Sequence, residues 1–347
     1  MTEAELEKIN SIPLNFVIGK ERSGTTLLQV MLNAHPNIVA PPESRLIALH
    51  YRHFSKIVRW TEKHIDDYCK DLFREILFKD HWNVNREDLK ADLISLKDKL
   101  NYPLVCKIVF YHYAPKDKDI KMFVDKNPIY YNVLPELKAI FPEARYINIV
   151  RDYHANIESQ RHIASLNLST ADMAYRWLRV SMMTEEARKK SPGKWMMMKY
   201  EDLVLDAGGT MKKICQFLHL PFDEKMTEAH NAKLYPSFYE HKEVEKFKKF
   251  HNKLFEPINS AYIDSWKNKL TEKEISIAET IAARYGEETY GYKRYIDPQK
   301  LGINGLTKLK VRVKYKIIAR FFRSVLLNRK LYMTIRGILV NLKSDKG

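Results

Sequence analysis

The stretch Leu14-Asn-Phe-Val-Ile-Gly-Lys-Glu-Arg-Ser-Gly-Thr-Thr-Leu-Leu-Gln-Val-Met-Leu-Asn-Ala-His-Pro36 decides how the chain folds. Leu14–Ile18 is a short β-rich run. Leu27, Leu28, Met31 and Leu32 recur at helical spacing, and Pro36 stops the helix. Between them lies a loop whose glycines, Gly19 and Gly24, are five residues apart. A strand feeding a helix through such a loop aims successive backbone N–H groups and the helix N-terminus at one anion. The glycines let the backbone approach that anion without a Cβ in the way.

The frame is that of a P-loop, G-x-x-x-x-G followed by two residues, with Thr26 in the Ser/Thr place. Thr25 stands where a nucleoside triphosphatase has Lys. Without that cation the loop is poorly suited to phosphoryl transfer from ATP or GTP. It suits a less charged group such as a phosphosulfate, held by backbone amides, the hydroxyls of Ser23, Thr25 and Thr26, and Arg22.

Outward from this loop, strand and helix signals alternate. Residues 37–40 read as a short strand and 44–100 as mostly helical. Leu104–Phe110 is β-rich, Met122–Asp125 is a short strand, and 131–141 is a helix. Ala144–Val150 is the clearest buried strand, followed by a helix over 152–164. Another helix opens after Ser169 with Asp172 three residues on, in capping-box spacing. Trp195–Lys199 reads as a strand and 207–219 as a helix. This alternation predicts an α/β fold, a three-layer P-loop-like parallel sheet flanked by helices. Arg151 then sits at the carboxyl end of a buried strand, where open α/β sheets bind ligands. Ser159 lies about two turns into the next helix. The planar fork of Arg151 and the Ser159 hydroxyl can therefore converge on one phosphate.

Composition bounds the function. With 347 residues, 45% apolar and 12% aromatic, the chain is far from disordered. Cys69, Cys106 and Cys215 are far apart and form no CxxC, which excludes a disulfide framework or zinc knuckle and suits reduced thiols in the cytoplasm. The N-terminus, MTEAELEKINSIP, has no basic segment followed by an apolar one, and no apolar run spans a membrane. The net charge of +16 is uneven: residues 300–347 hold 13 Lys and Arg against the single acid Asp345, whereas residues 1–299 hold 46 bases and 42 acids. Two units are expected, a domain over 1–299 and a basic amphipathic C-terminal extension over 300–347. In the extension Ile318, Phe321, Phe322 and Val325 fall at helical spacing among Arg320, Arg323 and Arg329. A basic amphipathic segment of this kind suits an anionic membrane surface. Nucleic acid is disfavoured, since no aromatic-rich RNA-binding motif accompanies the charge.

The stretch GKERSGTTLLQVMLNAHPNI resembles the 5′-phosphosulfate loop of the PAPS-dependent sulfotransferases, in the branch with tyrosylprotein, carbohydrate and bacterial members. Further agreements are the strand Ile147–Val150 ending in Arg151-Asp152 with Ser159, Asp125-Lys-Asn-Pro128, Trp177, Tyr200-Glu-Asp-Leu203, Phe217-Leu-His-Leu-Pro221, and Pro257-Ile-Asn259 with Trp266. Together they run over roughly residues 14–290. The resemblance implies a modified P-loop sheet, 3′-phosphoadenosine-5′-phosphosulfate (PAPS) as donor with PAP as product, and no metal. It implies that Arg22, Ser23, Gly24, Thr25 and Thr26 hold the phosphosulfate, that Arg151 and Ser159 hold the 3′-phosphate, and that Tyr200 lies near adenine. One departure is Glu256, where relatives carry a Lys before the Pro; Lys253 has a different spacing.

Transfer of a sulfonate to an alcohol requires removal of the acceptor proton, stabilisation of charge on the bridging oxygen, and in-line positioning. Lys126 is the candidate for the bridging oxygen, with Arg22 assisting. The His that follows the equivalent Lys by two in cytosolic small-molecule sulfotransferases is Pro128 here. In the tyrosylprotein branch a Glu occurs after the first helix and second strand, and Ala40-Pro-Pro-Glu-Ser-Arg45 puts Glu43 in that place. Glu43 is therefore the candidate general base, with His112 and His154 in reserve and Arg161 a weaker companion of Arg151. The expected function is sulfonate transfer to an acceptor hydroxyl, a sterol, lipid or carbohydrate alcohol being favoured. The alternatives are a P-loop kinase or NTPase, or a non-catalytic nucleotide- and membrane-binding module.

Overall fold

The structure is a computed structural model that describes residues 1–161, 168–228, 258–297 and 305–328, with Leu331 and Thr334. At its centre a sheet of five parallel strands runs in the order β2-β3-β1-β4-β5. After helix α1 (Glu3–Ser11), β1 (Leu14–Gly19) occupies the middle. The chain leaves it through α2 (Thr25–Asn33) to reach β2 (Ile38–Val39) at one edge. A helical excursion follows: α3 (Leu46–Phe54), α4 (Glu62–Leu72), α5 (Ile76–His81), α6 (Arg86–Ser95) and α7 (Tyr102–Tyr113). The chain then returns to β3 (Met122–Lys126), between β2 and β1. A 3-10 turn, Pro128–Asn132, and α8 (Leu134–Ile140) carry it to β4 (Tyr146–Val150) on the far side of β1. Helices α9 (Tyr153–Arg161) and α10 (Thr170–Lys190) lead to β5 (Trp195–Lys199), then α11 (Tyr200–Leu205), α12 (Ala207–Leu218), α13 (Glu272–Tyr290) and α14 (Gly305–Leu327).

Strand alternation explains the layers. Phe16 and Ile18 of β1 join a core with α1 and the helices of the excursion, while Val17 faces the other way onto α2 and α12. A third cluster packs Val150 and α9 against α10 and α13 around Trp177 and Trp266. The central register sets Val17 beside Lys126 and Gly19 beside Ile149, which brings the carboxyl ends of β3, β1 and β4 level. The predicted α/β sheet with helices on both faces is what forms.

Three local expectations differ. Leu104–Phe110 is not a strand but the middle of α7: Asn101 caps the helix by accepting from the Leu104 N–H at 2.9 Å, and Pro103 sits in its first turn. Leu104, Val105, Cys106, Ile108, Val109 and Phe110 are all buried and Lys107 is the one polar residue among them, so the run gives little sign of a helical period. The helix expected over 131–141 divides into the 3-10 turn and α8, and the strand expected over 37–40 shortens to Ile38–Val39.

The basic extension contains α14, which lies across α3, α10 and the Pro128–Asn132 turn. Lys314 pairs with Asp172 at 2.9 Å and Arg323 with Glu136 at 2.6 Å. Val325, Leu326 and Leu327 are buried, Val325 against Leu49 of α3. No helix among the described residues is long and apolar enough to cross a membrane.

Candidate active site

Each candidate residue follows the carboxyl end of a strand or lies on the helix after it. The 20–24 loop leaves β1, Glu43 follows β2, Lys126 ends β3, Arg151 follows β4 and Tyr200 follows β5. A parallel sheet gathers these ends on one rim.

The loop from β1 has two residues with left-handed backbone, Arg22 at φ 69° and Gly24 at φ 91°. Gly24 is required twice over, since a Cβ there would stand 2.4 Å from Tyr200 Cδ2. Gly19 is equally tight, its virtual Cβ lying 2.6 Å from the Ile149 carbonyl oxygen. Helix α2 starts without a side-chain cap and without an acid in its first turn. Its leading amides and dipole are thus left to a ligand, and the chemistry of that end favours an anion.

The second cluster abuts the first. Arg22 Nε donates to Ser159 Oγ at 3.0 Å, and an Arg151 terminal nitrogen donates to the Arg22 carbonyl at 3.3 Å. Arg151 also donates to the Tyr262 carbonyl at 3.1 Å and lies 4.5 Å over the Tyr200 ring. Its Nε is buried without a hydrogen-bond partner. Burial and the nearby Arg151 cation lower the Arg22 guanidinium pKa, opposed by Glu158. Two guanidiniums so close, with an unpartnered donor, form a site that an anion completes. Arg22, Ser23, Gly24, Arg151, Ser159 and Tyr200 are brought together, although Arg22 and Ser159 are 137 residues apart in sequence.

Trp177, and residues that sequence reasoning passed over, brace this arrangement. Asn156 of α9 donates to the Glu21 carbonyl at 2.9 Å and to Ser23 Oγ at 3.1 Å, tying the loop to the helix that bears Ser159. Trp177 Nε1 donates to the Arg151 carbonyl at 2.8 Å. Glu21 pairs with Lys20 at 2.6 Å and also with Arg176. Burial pushes the Glu21 carboxyl up, but these two cations outweigh it and hold it at about 2. Burial lowers Lys20 to about 8. The only signal for Asn156 was its place one turn before Ser159, and nothing local marked Arg176.

The third group sits at the start of α2. Lys126 Nζ lies 3.3 Å from Glu43 Oε2 and 3.5 Å from Thr26 Oγ1. Lys126 is buried and Glu43 is partly open to solvent. Thr25 is buried on the same turn. The segment bearing Glu43 is pinned from three sides. Gln29 of α2 donates to the Pro41 carbonyl, Trp82 Nε1 to the Pro42 carbonyl at 2.9 Å, and Asn127 to the Ser44 carbonyl. Glu43 is therefore set by buried donors and is not a first-turn residue of α3, which begins at Leu46.

Other candidates fall elsewhere. His154 is fully buried, bonded at Nδ1 to Asp152 and at Nε2 to Glu279, each at 3.1 Å, and stacked on Trp266. Burial lowers its pKa, but the hydrogen bonds its ring donates to the two carboxylates outweigh that and leave it raised. It serves as a latch between α9 and α13, with no nitrogen left to take a substrate proton. His112 meets Asp92, which also binds the N-terminal amine, on α6 and α7 away from the rim. Arg161 donates to the Lys269 carbonyl and pairs with Glu274. Lys253 and Glu256 lie outside the described residues.

The Sulfotransferase family model matches residues 13–224, more than half of the chain. Protein-tyrosine sulfotransferase 1 of Danio rerio is 24% identical over 292 residues, covering 80% of this chain and 73% of the relative. The Homo sapiens protein of that name is 24% identical over 309 residues, covering 84% and 72%. Among solved structures, the sulfotransferase domain of the curacin biosynthetic pathway superposes with TM-score 0.54 at 20% identity, over 79% of this chain and 98% of that one. The sulfotransferase domain of the Synechococcus PCC 7002 olefin synthase gives 0.50 at 23%, over 77% and 94%. These structures share the fold. Taken with the family match, they show that the chain is an enzyme of the PAPS-dependent sulfotransferase family.

Proposed function

We propose that the protein moves the sulfonate of PAPS to an acceptor hydroxyl, with Glu43 as general base. The observation that carries this reading is the position of the Lys126 amine at the start of α2, 3.3 Å from Glu43 Oε2 and 3.5 Å from Thr26 Oγ1. The amides of the 22–26 loop, Ser23, Thr25, Thr26 and Arg22 hold the 5′-phosphosulfate. Arg151 and Ser159 hold the 3′-phosphate, and the Tyr200 ring flanks the nucleoside. Glu43 takes the acceptor proton as the new S–O bond forms. The bond from sulfur to the bridging oxygen breaks, and the electron pair leaves with PAP, its charge met by Lys126 and Arg22. Nothing in this step calls for a metal.

An amphiphilic alcohol such as a sterol, a glycolipid or another lipid-linked saccharide is the favoured acceptor. The basis is that α14, basic and amphipathic, lies over α3 and the Pro128–Asn132 turn, the segments that follow Glu43 and Lys126. A tyrosyl hydroxyl is the second reading, favoured by the names of the similar proteins. Three buried, unbridged thiols support action in the cytoplasm. The test is Glu43→Gln, assayed with labelled PAPS against sterols, saccharides, phenols and tyrosyl peptides. Turnover is expected to fall about 10²–10⁴-fold, with thermal stabilisation by PAP retained. Full activity in the variant would remove Glu43 from the mechanism. Stabilisation by Mg-ATP alone would remove PAPS from it.

A further inference from the structure

Helix α14 packs one side on the body, and described residues on its other side are exposed. On the inner side, Lys314 and Arg323 pair with Asp172 and Glu136, and Val325, Leu326 and Leu327 are buried. On the outer side, Val313, Ile317 and Phe321 are exposed by 48%, 65% and 52%. Their spacing of four residues places them in one stripe. Large apolar side chains this open are few among the described residues, and three of them share this helix. Lys310, Arg320 and Ser324 are exposed on the same face. The helix sequence holds seven Lys and Arg and no acid.

We infer that this stripe is a membrane-docking face, in which Val313, Ile317 and Phe321 enter the headgroup boundary of an anionic bilayer while Lys310 and Arg320 meet its phosphates. The charge chooses the occupant. A second copy of this chain would present the same uncompensated cations to itself, whereas an anionic leaflet supplies apolar depth and opposite charge together. An aqueous surface has no use for three apolar side chains in register beside Lys310 and Arg320. The inner ion pairs matter as well, because they fix the helix to the catalytic body, so that docking sets the orientation of the rim and does not merely tether the protein.

This inference concerns where the protein sits and stands apart from the identity of the base. The full chain is floated with vesicles of phosphatidylcholine alone and of phosphatidylcholine with phosphatidylglycerol. Binding is expected only with the anionic lipid, weakening as salt rises. The double variant Ile317→Glu/Phe321→Glu is expected to lose at least about tenfold in vesicle affinity, with PAP-induced stabilisation unchanged. Val58→Glu, at a 95% exposed apolar residue off this helix, is expected to bind as the parent does. The inference is overturned if the parent does not float with anionic vesicles. It is equally overturned if the double variant floats as well as the parent, which would leave charge alone as the attraction. A dimer in solution that the double variant abolishes would assign the face to a second copy instead.

Discussion

Replacing Arg151 by Lys separates the two ends of the donor. In the structure this guanidinium reaches the Arg22 carbonyl at 3.3 Å and the Tyr262 carbonyl at 3.1 Å, lies 4.5 Å over the Tyr200 ring, and keeps a buried Nε with no partner. An ammonium is a point charge on a flexible stem. It can keep one of these contacts but can neither fork onto a phosphate nor stack on the ring. Losing one of two charge-assisted hydrogen bonds to the 3′-phosphate costs about 1.5–3 kcal/mol, so PAP affinity should fall about 10- to 150-fold. AMP shares the adenosine 5′-phosphate but lacks the 3′-phosphate, so its affinity should change little. Titration calorimetry of parent and variant with both nucleotides reads the difference directly. If Arg151→Lys weakens AMP as much as PAP, then Arg151 acts by holding the loop and the assignment of the 3′-phosphate to it is wrong.

Gly24→Ala should be damaging despite its size. A left-handed φ of 91° and a Cβ 2.4 Å from the Tyr200 ring require the loop or the ring to shift. A stability loss of about 1–3 kcal/mol, seen in denaturant titration, should come with weakened PAP binding; unchanged PAP binding would show that the loop conformation does not matter to the donor. His154→Ala should cost about 3–5 kcal/mol, since it strips a partner from the buried Glu279 and from the half-buried Asp152. A His with a raised folded-state pKa gives stability that is complete below its unfolded value and lost as pH rises through the folded one. Parent stability should therefore fall across that window more steeply than the variant's. Turnover per folded molecule should persist in the variant, and its abolition would restore His154 as a candidate base.

How far the site was legible depends on the range of the interactions that build it. The loop proposed to hold the phosphosulfate is local: Gly19, Arg22, Ser23, Gly24, Thr25 and Thr26 lie within eight consecutive residues, and their backbone and side-chain chemistry suffice to announce an anion cradle. Arg151 was legible because a buried β run ends just before it. Lys126 and Glu43 were legible through resemblance, not periodicity. What brings Glu43 to Lys126 is a set of donors from α2, the α5 C-terminus and the turn after β3, namely Gln29, Trp82 and Asn127, none with any local mark of that role. Helix α7 misled for a related reason: burial over most of its surface leaves Lys107 as the one polar position within the apolar run, too few to reveal a helical period.

By itself the sequence determined the β1–α2 cradle, the parallel α/β layering, and a nearly neutral body with a strongly basic extension, because each depends on neighbours along the chain or on composition. Only the tertiary structure decided that Arg22 meets Ser159 across 137 residues, that His154 is a latch, and that α14 has an outer face to offer. Those outcomes depend on which side chains the parallel register brings level at one rim, and on which face of a helix its packing uses up. Both are set by contacts between segments that carry no mark of one another until the sheet is assembled.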